Sequence, residues 1–178
     1  MKRKVVFQGL LLLTPFLLWQ NANSQVISIP AFHESDKSLA KGEGEVFIQS
    51  RKDAVSSGTF VVSISVHFDP AVDLYPAGSI SIKVDMSDGS KGVFRATTID
   101  LINSYGKHNP TIYITGRCDN DAQPAAKGCY YWLEVANNRR GNDGTPDIVG
   151  FAIHDRNGQR IAYGLGPLRT GDIDVQAK

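Results

Sequence analysis

Alternation of apolar and polar side chains constrains this chain more than any other feature of its sequence. In Thr59–Phe68 every second residue is apolar, and most of the residues between are polar. A period of two places the apolar side chains on one face of a β-strand. The pattern recurs in segments 80–86, 112–118, 129–135 and 149–153. Because no apolar stripe recurs at helical spacing over three turns, the sequence predicts an all-β fold.

Turn-forming dipeptides separate the apolar runs. Asp88-Gly89, Asn157-Gly158 and Gly171-Asp172 are of this kind. About eight or nine strands in succession predict a single antiparallel, mostly meander sheet folded on itself. The closure is either a β-sandwich or a flattened β-barrel, and the sequence leaves both open. In residues 93–102 the alternation changes phase, which predicts a β-bulge or a strand that crosses a sheet edge.

The first 24 residues have the composition of a signal peptide. A basic stretch at residues 2–4 precedes an apolar run over residues 5–19, and residues 20–24 place small side chains where a signal peptidase cleaves. We predict cleavage before Gln25 and a secreted or periplasmic protein. The alternative is an uncleaved membrane anchor, but the run is shorter than the roughly 20 residues that cross a bilayer, and Pro15 interrupts it.

The mature chain then consists of an N-terminal arm, residues 25–41, and one all-β domain, residues 42–178. It has 16 basic and 18 acidic residues, which argues against nucleic acid as a partner. No later apolar run is long enough to predict a membrane span. The lack of a usable Asn-x-Ser/Thr sequon fits a bacterial exported protein.

The chain has two cysteines, Cys118 and Cys129. Each falls on the apolar phase of its predicted strand, and turn-forming residues lie between them. An oxidising compartment would let them form a disulfide at the base of a hairpin. Two buried free thiols and a metal-binding pair are the alternatives.

Three C-terminal segments resemble a known family. They are Gly128–Asn138 (GCYYWLEVANN), Asp147–Asp155 (DIVGFAIHD) and Gly171–Val175 (GDIDV). They resemble the secreted bacterial all-β domains of the post-COAP-like family, and a looser likeness covers residues 42–175. The chain departs from the family pattern at Cys129, where an aromatic residue is usual, and at Arg139-Arg140, where Gly-Glu is usual. The resemblance implies an exported β domain and no established activity, so it supplies no catalytic residue.

The chain lacks the common catalytic signatures, among them G-x-S-x-G, H-E-x-x-H and the phosphate-binding loop. Two histidines, His67 and His154, share the less apolar phase of their strands, and a pair on one sheet face would suit a metal-dependent hydrolase. A surface position is the better explanation for each of them. We therefore assign no catalytic residue.

Acidic loops are the candidates for a metal site. Calcium is bound by six to eight oxygen ligands, and turns 119–121 and 142–147 contain several carboxylates. Asp and Asn are also the ordinary residues of turns, because they hydrogen-bond to their own backbone. The candidate ligands are Asp119, Asp121, Asp143 and Asp147. We predict no other cofactor.

Aromatic residues cluster in Tyr130-Tyr131-Trp132. Alternation directs Tyr131 inward and leaves Tyr130 and Trp132 outward. The candidate binding face consists of Tyr130, Trp132, Arg139 and Arg140. Its partner would be a protein or a glycan. Alternatively, another sheet or the arm covers it.

Three functions are compatible with these features. The one we favour is an exported, non-catalytic β domain that acts as a binding or structural surface module, with an unknown partner. The alternatives are a β-barrel carrier of a small apolar ligand and a small exported metal-dependent hydrolase. A packed interior with an exposed Trp132 would favour the first, and an open, unfilled barrel would favour the carrier.

Overall fold

A computed structural model describes residues 37–48, 57–89, 91–106, 108–121, 128–138 and 144–177. These residues form nine β-strands and no helix, which confirms the predicted all-β class. The predicted signal peptide and residues 25–36 of the arm lie outside the described residues. The strands are β1 (Ser38–Ile48), β2 (Gly58–Phe68), β3 (Ala77–Met86), β4 (Lys91–Ala96), β5 (Leu101–Tyr105), β6 (Thr111–Asn120), β7 (Cys129–Ala136), β8 (Ile148–Asp155) and β9 (Arg160–Gln176).

Eight of the strands close into an antiparallel barrel. Their order is β4-β3-β2-β1-β9-β8-β7-β6, and the pairing of β4 with β6 completes the ring. The ninth strand, β5, pairs with β6. Most neighbours in the ring are also consecutive in the chain, as the meander prediction requires. The exceptions are β1 with β9 and β4 with β6, which join strands far apart in sequence.

Strand β1 begins at Ser38, four residues before Gly42, where the sequence places the start of the domain. Its buried positions include Ser38, Ala40 and Gly44. Because small residues occupy the inward side, this part of the strand does not produce an apolar stripe that sequence analysis detects.

Strands β4 and β5 lie one after the other along the same edge of β6. Strand β4 pairs with residues 118–120 and β5 with residues 111–115. Between them, residues 97–100 bulge so that the Thr98 carbonyl oxygen lies over Gly116 and leaves no room for a Cβ there. The Tyr131 hydroxyl donates a hydrogen bond of 3.0 Å to that oxygen. This bulge confirms the irregularity that the change of phase in residues 93–102 predicts.

The dipeptide Gly171-Asp172 lies within β9 and does not form the turn that its composition suggests. Residues 160–167 of β9 pair with β8, whereas residues 168–176 pair with β1. Gly171 has a φ of 89° near the register shift in the β1–β9 pairing, where the Glu43 carbonyl excludes a Cβ. Glycine is required there because it alone adopts that φ without strain.

Buried apolar side chains fill the interior of the barrel. The ring centroids of Phe60 on β2 and Phe151 on β8 lie 4.8 Å apart, so opposite walls touch. The alternation of β2 is confirmed, since its apolar phase faces the core. The largest fully buried apolar residues are Ile112, Ile114, Leu133, Ile153 and Ile173.

Cys118 and Cys129 face each other directly on β6 and β7 and form a disulfide, with their Cα atoms 4.8 Å apart. Both side chains are buried on the core side of the sheet. The predicted bridge at the base of this hairpin is therefore present. A disulfide is consistent with an extracellular or periplasmic protein.

Candidate binding face

The outer surface of the barrel is polar over β1, β2 and β3. Most outward positions on these strands carry short polar or charged side chains, the apolar exceptions being Leu39, Phe47 and Val61, which are half-buried. The Ser63 hydroxyl donates a hydrogen bond of 2.7 Å to the Glu43 carboxylate. Other outward residues are Lys41, Glu45, Ser65, His67, Ser79, Ser81, Lys83 and Asp85. This is the ordinary composition of a solvated sheet face.

The outer surface over β5, β6, β7, β8 and the first half of β9 is aromatic. We call it the aromatic face, and its large residues are Leu101, Tyr105, Tyr113, Tyr130, Trp132, Ile148, Tyr163 and Leu165. All of them are exposed except Tyr113, which is half-buried. Alternation within each strand directs them outward, and the register between strands places them side by side.

Three rings form a continuous ladder across β5, β6 and β7. The centroids of Tyr105 and Tyr113 are 5.7 Å apart, and those of Tyr113 and Trp132 are 5.8 Å apart. The two tyrosine hydroxyl oxygens lie 3.0 Å apart. The hydrogen bond to Tyr105 holds the pKa of Tyr113 above its usual range, with smaller contributions from partial desolvation and from Glu134. The ladder is therefore a packed arrangement with polar tips.

The outward positions of β8 include the small residues Gly150 and Ala152, which lie between larger side chains of β7 and β9. Ala152 lies directly between Trp132 on β7 and Tyr163 on β9, so a small residue separates two aromatic walls. At the preceding outward position of β8, two residues before Ala152, a Leu165 methyl group lies over Gly150. We call the space between Trp132 and Tyr163, above Ala152, the β8 groove.

Polar groups border the β8 groove. At one end His154, half-buried, lies between Tyr130 and Arg160. The Arg160 guanidinium stacks on the Tyr163 ring, with its carbon 3.9 Å from the ring centroid. At the other end Glu134 lies beside Gly150. The groove thus combines aromatic walls with hydrogen-bonding groups at both ends.

The residues of the predicted binding face are only partly described. Tyr130 and Trp132 are exposed, at 52% and 39%, as the alternation predicts. Tyr131 is buried, and burial, followed by the nearby Asp100 carboxylate, raises the pKa of its hydroxyl above the usual range. Arg139 and Arg140 lie outside the described residues.

The candidate calcium ligands are dispersed. Asp147 is fully buried, and its carboxylate accepts hydrogen bonds from the backbone N–H groups of Asn138 (3.0 Å) and Ile173 (3.1 Å). Asp119 lies near the end of β6, and Asp121 directly follows that strand. Asp121 forms an ion pair with Arg95. Asp143 lies outside the described residues. In the part of the chain that the structure describes, no group of three or more His, Cys, Asp or Glu residues is placed to hold a metal ion.

The structure does not bring His67 and His154 together. His67 on β2 lies opposite Leu39 and Ala77, at the end of the barrel where β1 begins. His154 lies near the C-terminal end of β8, which is the opposite end of the barrel and a different face.

Two exposed apolar features of the structure are not among the features predicted from the sequence. The first is most of the aromatic face, although the outward phase of each predicted strand contained the signal. The second is the loop between β2 and β3, where Val72, Leu74 and Tyr75 are 78–79% exposed. The loop is held by backbone and carboxylate hydrogen bonds between Asp69 and Asp73.

Among the described residues, no helix is long and apolar enough to span a membrane. Comparisons of the chain with protein-family models, with curated proteins and with solved structures found no match.

Proposed function

We propose that this protein is an exported, non-catalytic β module that binds its partner through the aromatic face. One observation carries the proposal: among the strands, the exposed large apolar side chains gather on β5–β9, whereas β1–β3 present a mostly polar surface. Three further exposed apolar residues, Val72, Leu74 and Tyr75, lie apart from this face on the β2–β3 loop. Scattered exposed apolar residues are ordinary, but a contiguous patch marks an interaction site.

The chemistry of the aromatic face supports binding. Four of its members are tyrosines and one is Trp132. Tyr and Trp combine a large apolar ring with a polar group, and they are enriched where surfaces bind partners. The packing of Tyr105 and Tyr113 against each other limits the entropy lost on binding, since their side chains are already ordered.

The interior supports a surface site in preference to an internal one. Opposite walls meet at Phe60 and Phe151, and fully buried side chains occupy the centre. A carrier of a small apolar ligand would need that volume for the ligand.

The proposal extends to the form of the closure and to the compartment. Because β9 changes partner from β8 to β1 and β4 joins β3 to β6, we infer a flattened barrel with two facing sheets. The signal-like N-terminus and the disulfide support secretion or a periplasmic location. Kinship with the post-COAP-like family rests on the segments that form β7, β8 and the end of β9.

A face-specific pull-down tests the function. The immobilised protein is exposed to envelope and culture-medium fractions of its native organism, beside a face variant (Trp132→Ala with Tyr163→Ser) and a polar-face control (Ser65→Ala with Ser79→Ala). We expect the same material to be retained by the wild type and the control and to be lost from the face variant. Circular dichroism verifies that all three are folded.

Retention that is equal for all three proteins would contradict the proposal. The same holds if the polar-face control loses the material and the face variant keeps it. Treatment of the fractions with protease, or with periodate to destroy sugars, identifies the class of the retained partner.

A further inference from the structure

We infer that the partner is a neutral glycan and that one of its pyranose rings lies in the β8 groove between Trp132 and Tyr163. The inference rests on the proposed function and specifies the ligand of the same face. It follows from three properties of the groove: its width, the groups that line it and its charge.

The width fits one sugar ring. Trp132 and Tyr163 stand on β7 and β9, whose backbones are two strand spacings apart, about 9.6 Å. A ring in van der Waals contact with an aromatic group on each side needs about 7–8 Å. The residue between them is Ala152, whose side chain is a single methyl group. At Gly150 the Leu165 side chain lies over the floor and bounds the groove.

The lining matches the two kinds of surface that a pyranose presents. Its C–H groups form an apolar surface that stacks on aromatic rings, and its hydroxyl groups form hydrogen bonds around the edge. Trp132 and Tyr163 supply the stacking surfaces. Glu134 and His154, at the two ends of the groove, supply acceptors and donors. The Glu134 carboxylate is also hydrogen-bonded to Tyr113. A wholly apolar ligand would remove the remaining polar atoms of this pair of residues from water without pairing them, which is unfavourable.

The charges on this part of the face compensate one another. Arg117 lies 3.7 Å from the Asp100 carboxylate, and Arg160 stacks on Tyr163 opposite the end that contains Glu134. An anionic polymer would meet Glu134, and a cationic one would meet Arg160. Electrostatic complementarity therefore favours an uncharged ligand.

Affinity electrophoresis in gels that contain one soluble polysaccharide each tests the inference. The probes are hydroxyethylcellulose, glycol chitin, xylan, galactomannan and mixed-linkage β-glucan, with alginate and heparin as anionic comparisons. We expect at least one neutral polysaccharide to retard the full chain. The corresponding hexasaccharide should change the tryptophan emission of the mature protein, residues 25–178, in which Trp132 is the only tryptophan.

Three variants make the test specific to the groove. Ala152→Leu fills the floor and leaves every aromatic residue in place, and Tyr163→Ser removes one wall. Each should weaken binding at least tenfold. Tyr75→Ser removes a tyrosine that is more exposed than Tyr163 from the β2–β3 loop and should leave the affinity unchanged. Thermal unfolding verifies that Ala152→Leu is folded, which we expect because Ala152 is half-buried and points outward.

Absence of retardation by every neutral polysaccharide would overturn the inference, as would binding that survives both Ala152→Leu and Tyr163→Ser. Retardation by alginate or heparin alone would overturn the neutral class. These failures are distinguishable from failure of the proposed function. Suppose that protease-sensitive material binds the wild type and Ala152→Leu but not the Trp132→Ala/Tyr163→Ser variant. That result would support the proposed binding face and contradict the glycan as its ligand.

Discussion

At the scale of single residues, two buried polar groups hold irregular segments against the barrel. Asp147 lies in the segment before β8. Its carboxylate accepts hydrogen bonds from the N–H groups of Asn138, which follows β7, and Ile173 on β9, and so holds the segment against both strands. Tyr131 holds the β4–β5 bulge through the Thr98 carbonyl. Alternation places Tyr131 inward, and the structure confirms this position. Asp147 is a candidate calcium ligand by sequence, because its residue type suits turns and ligands as well as buried caps.

We predict that Asp147→Ala lowers the free energy of unfolding by about 2–4 kcal/mol, because two backbone N–H groups lose their acceptor at a buried position. Asp147→Asn keeps one acceptor oxygen and should lose less. Urea denaturation measures both. Asp85→Ala, which breaks an exposed ion pair with Lys91, is the control and should cost under about 1 kcal/mol. Equal losses at Asp85 and Asp147 would contradict the assigned role.

Tyr131 gives a prediction at alkaline pH. Burial raises the pKa of its hydroxyl in the folded state, whereas an unfolded tyrosine ionises near pH 10. The stabilisation is complete below pH 10 and is lost as the pH rises further, since the unfolded chain releases the proton first. Denaturant midpoints between pH 8 and 11.5 should therefore decline less steeply in Tyr131→Phe than in the wild type. Tyr75→Phe, which removes an exposed phenol, is the control. If its denaturant midpoint declined with pH as little as that of Tyr131→Phe, the explanation would be contradicted.

At the scale of elements, the β6–β7 hairpin shows which features the local sequence pattern can predict. Alternation and turn residues predict its strands, its inward cysteines and its outward Trp132, since all of these depend on residues within one hairpin. The β8 groove depends on three strands at once. The small size of Ala152 is visible in the sequence, but its position between Trp132 and Tyr163 depends on two cross-strand registers.

The disulfide belongs to this hairpin. It closes a loop with a sequence separation of 11 residues, and a loop of about that size stabilises a protein by roughly 3 kcal/mol. We predict that dithiothreitol, or Cys118→Ala with Cys129→Ala, lowers the melting temperature. Thiol titration of the untreated, denatured protein should find no free thiol. Two titratable thiols with an unchanged transition would contradict the bridge.

At the scale of the whole molecule, closure depends on β9, which pairs first with β8 and then with β1. We predict that deletion of residues 168–178 prevents folding, because it removes buried Leu168, Ile173 and Val175 and leaves β1 with an unpaired edge. Far-UV circular dichroism and size-exclusion chromatography measure the loss of β structure and the aggregation. Deletion of residues 177–178 is the control and should leave the fold intact. A folded, monomeric product of the longer deletion would contradict the role of β9.

The sequence alone determined which side chains of most strands face inward, where the β6–β7 hairpin forms and which cysteines pair. Each of these follows from a period of two and from short-range turn chemistry, and both are local. The tertiary structure decided the β1–β9 and β4–β6 pairings, the left-handed backbone of Gly171 near the β9 register shift and the gathering of exposed aromatic residues on one side. Those depend on the register between strands that are distant in the chain, and no strand encodes the register of its partner by itself.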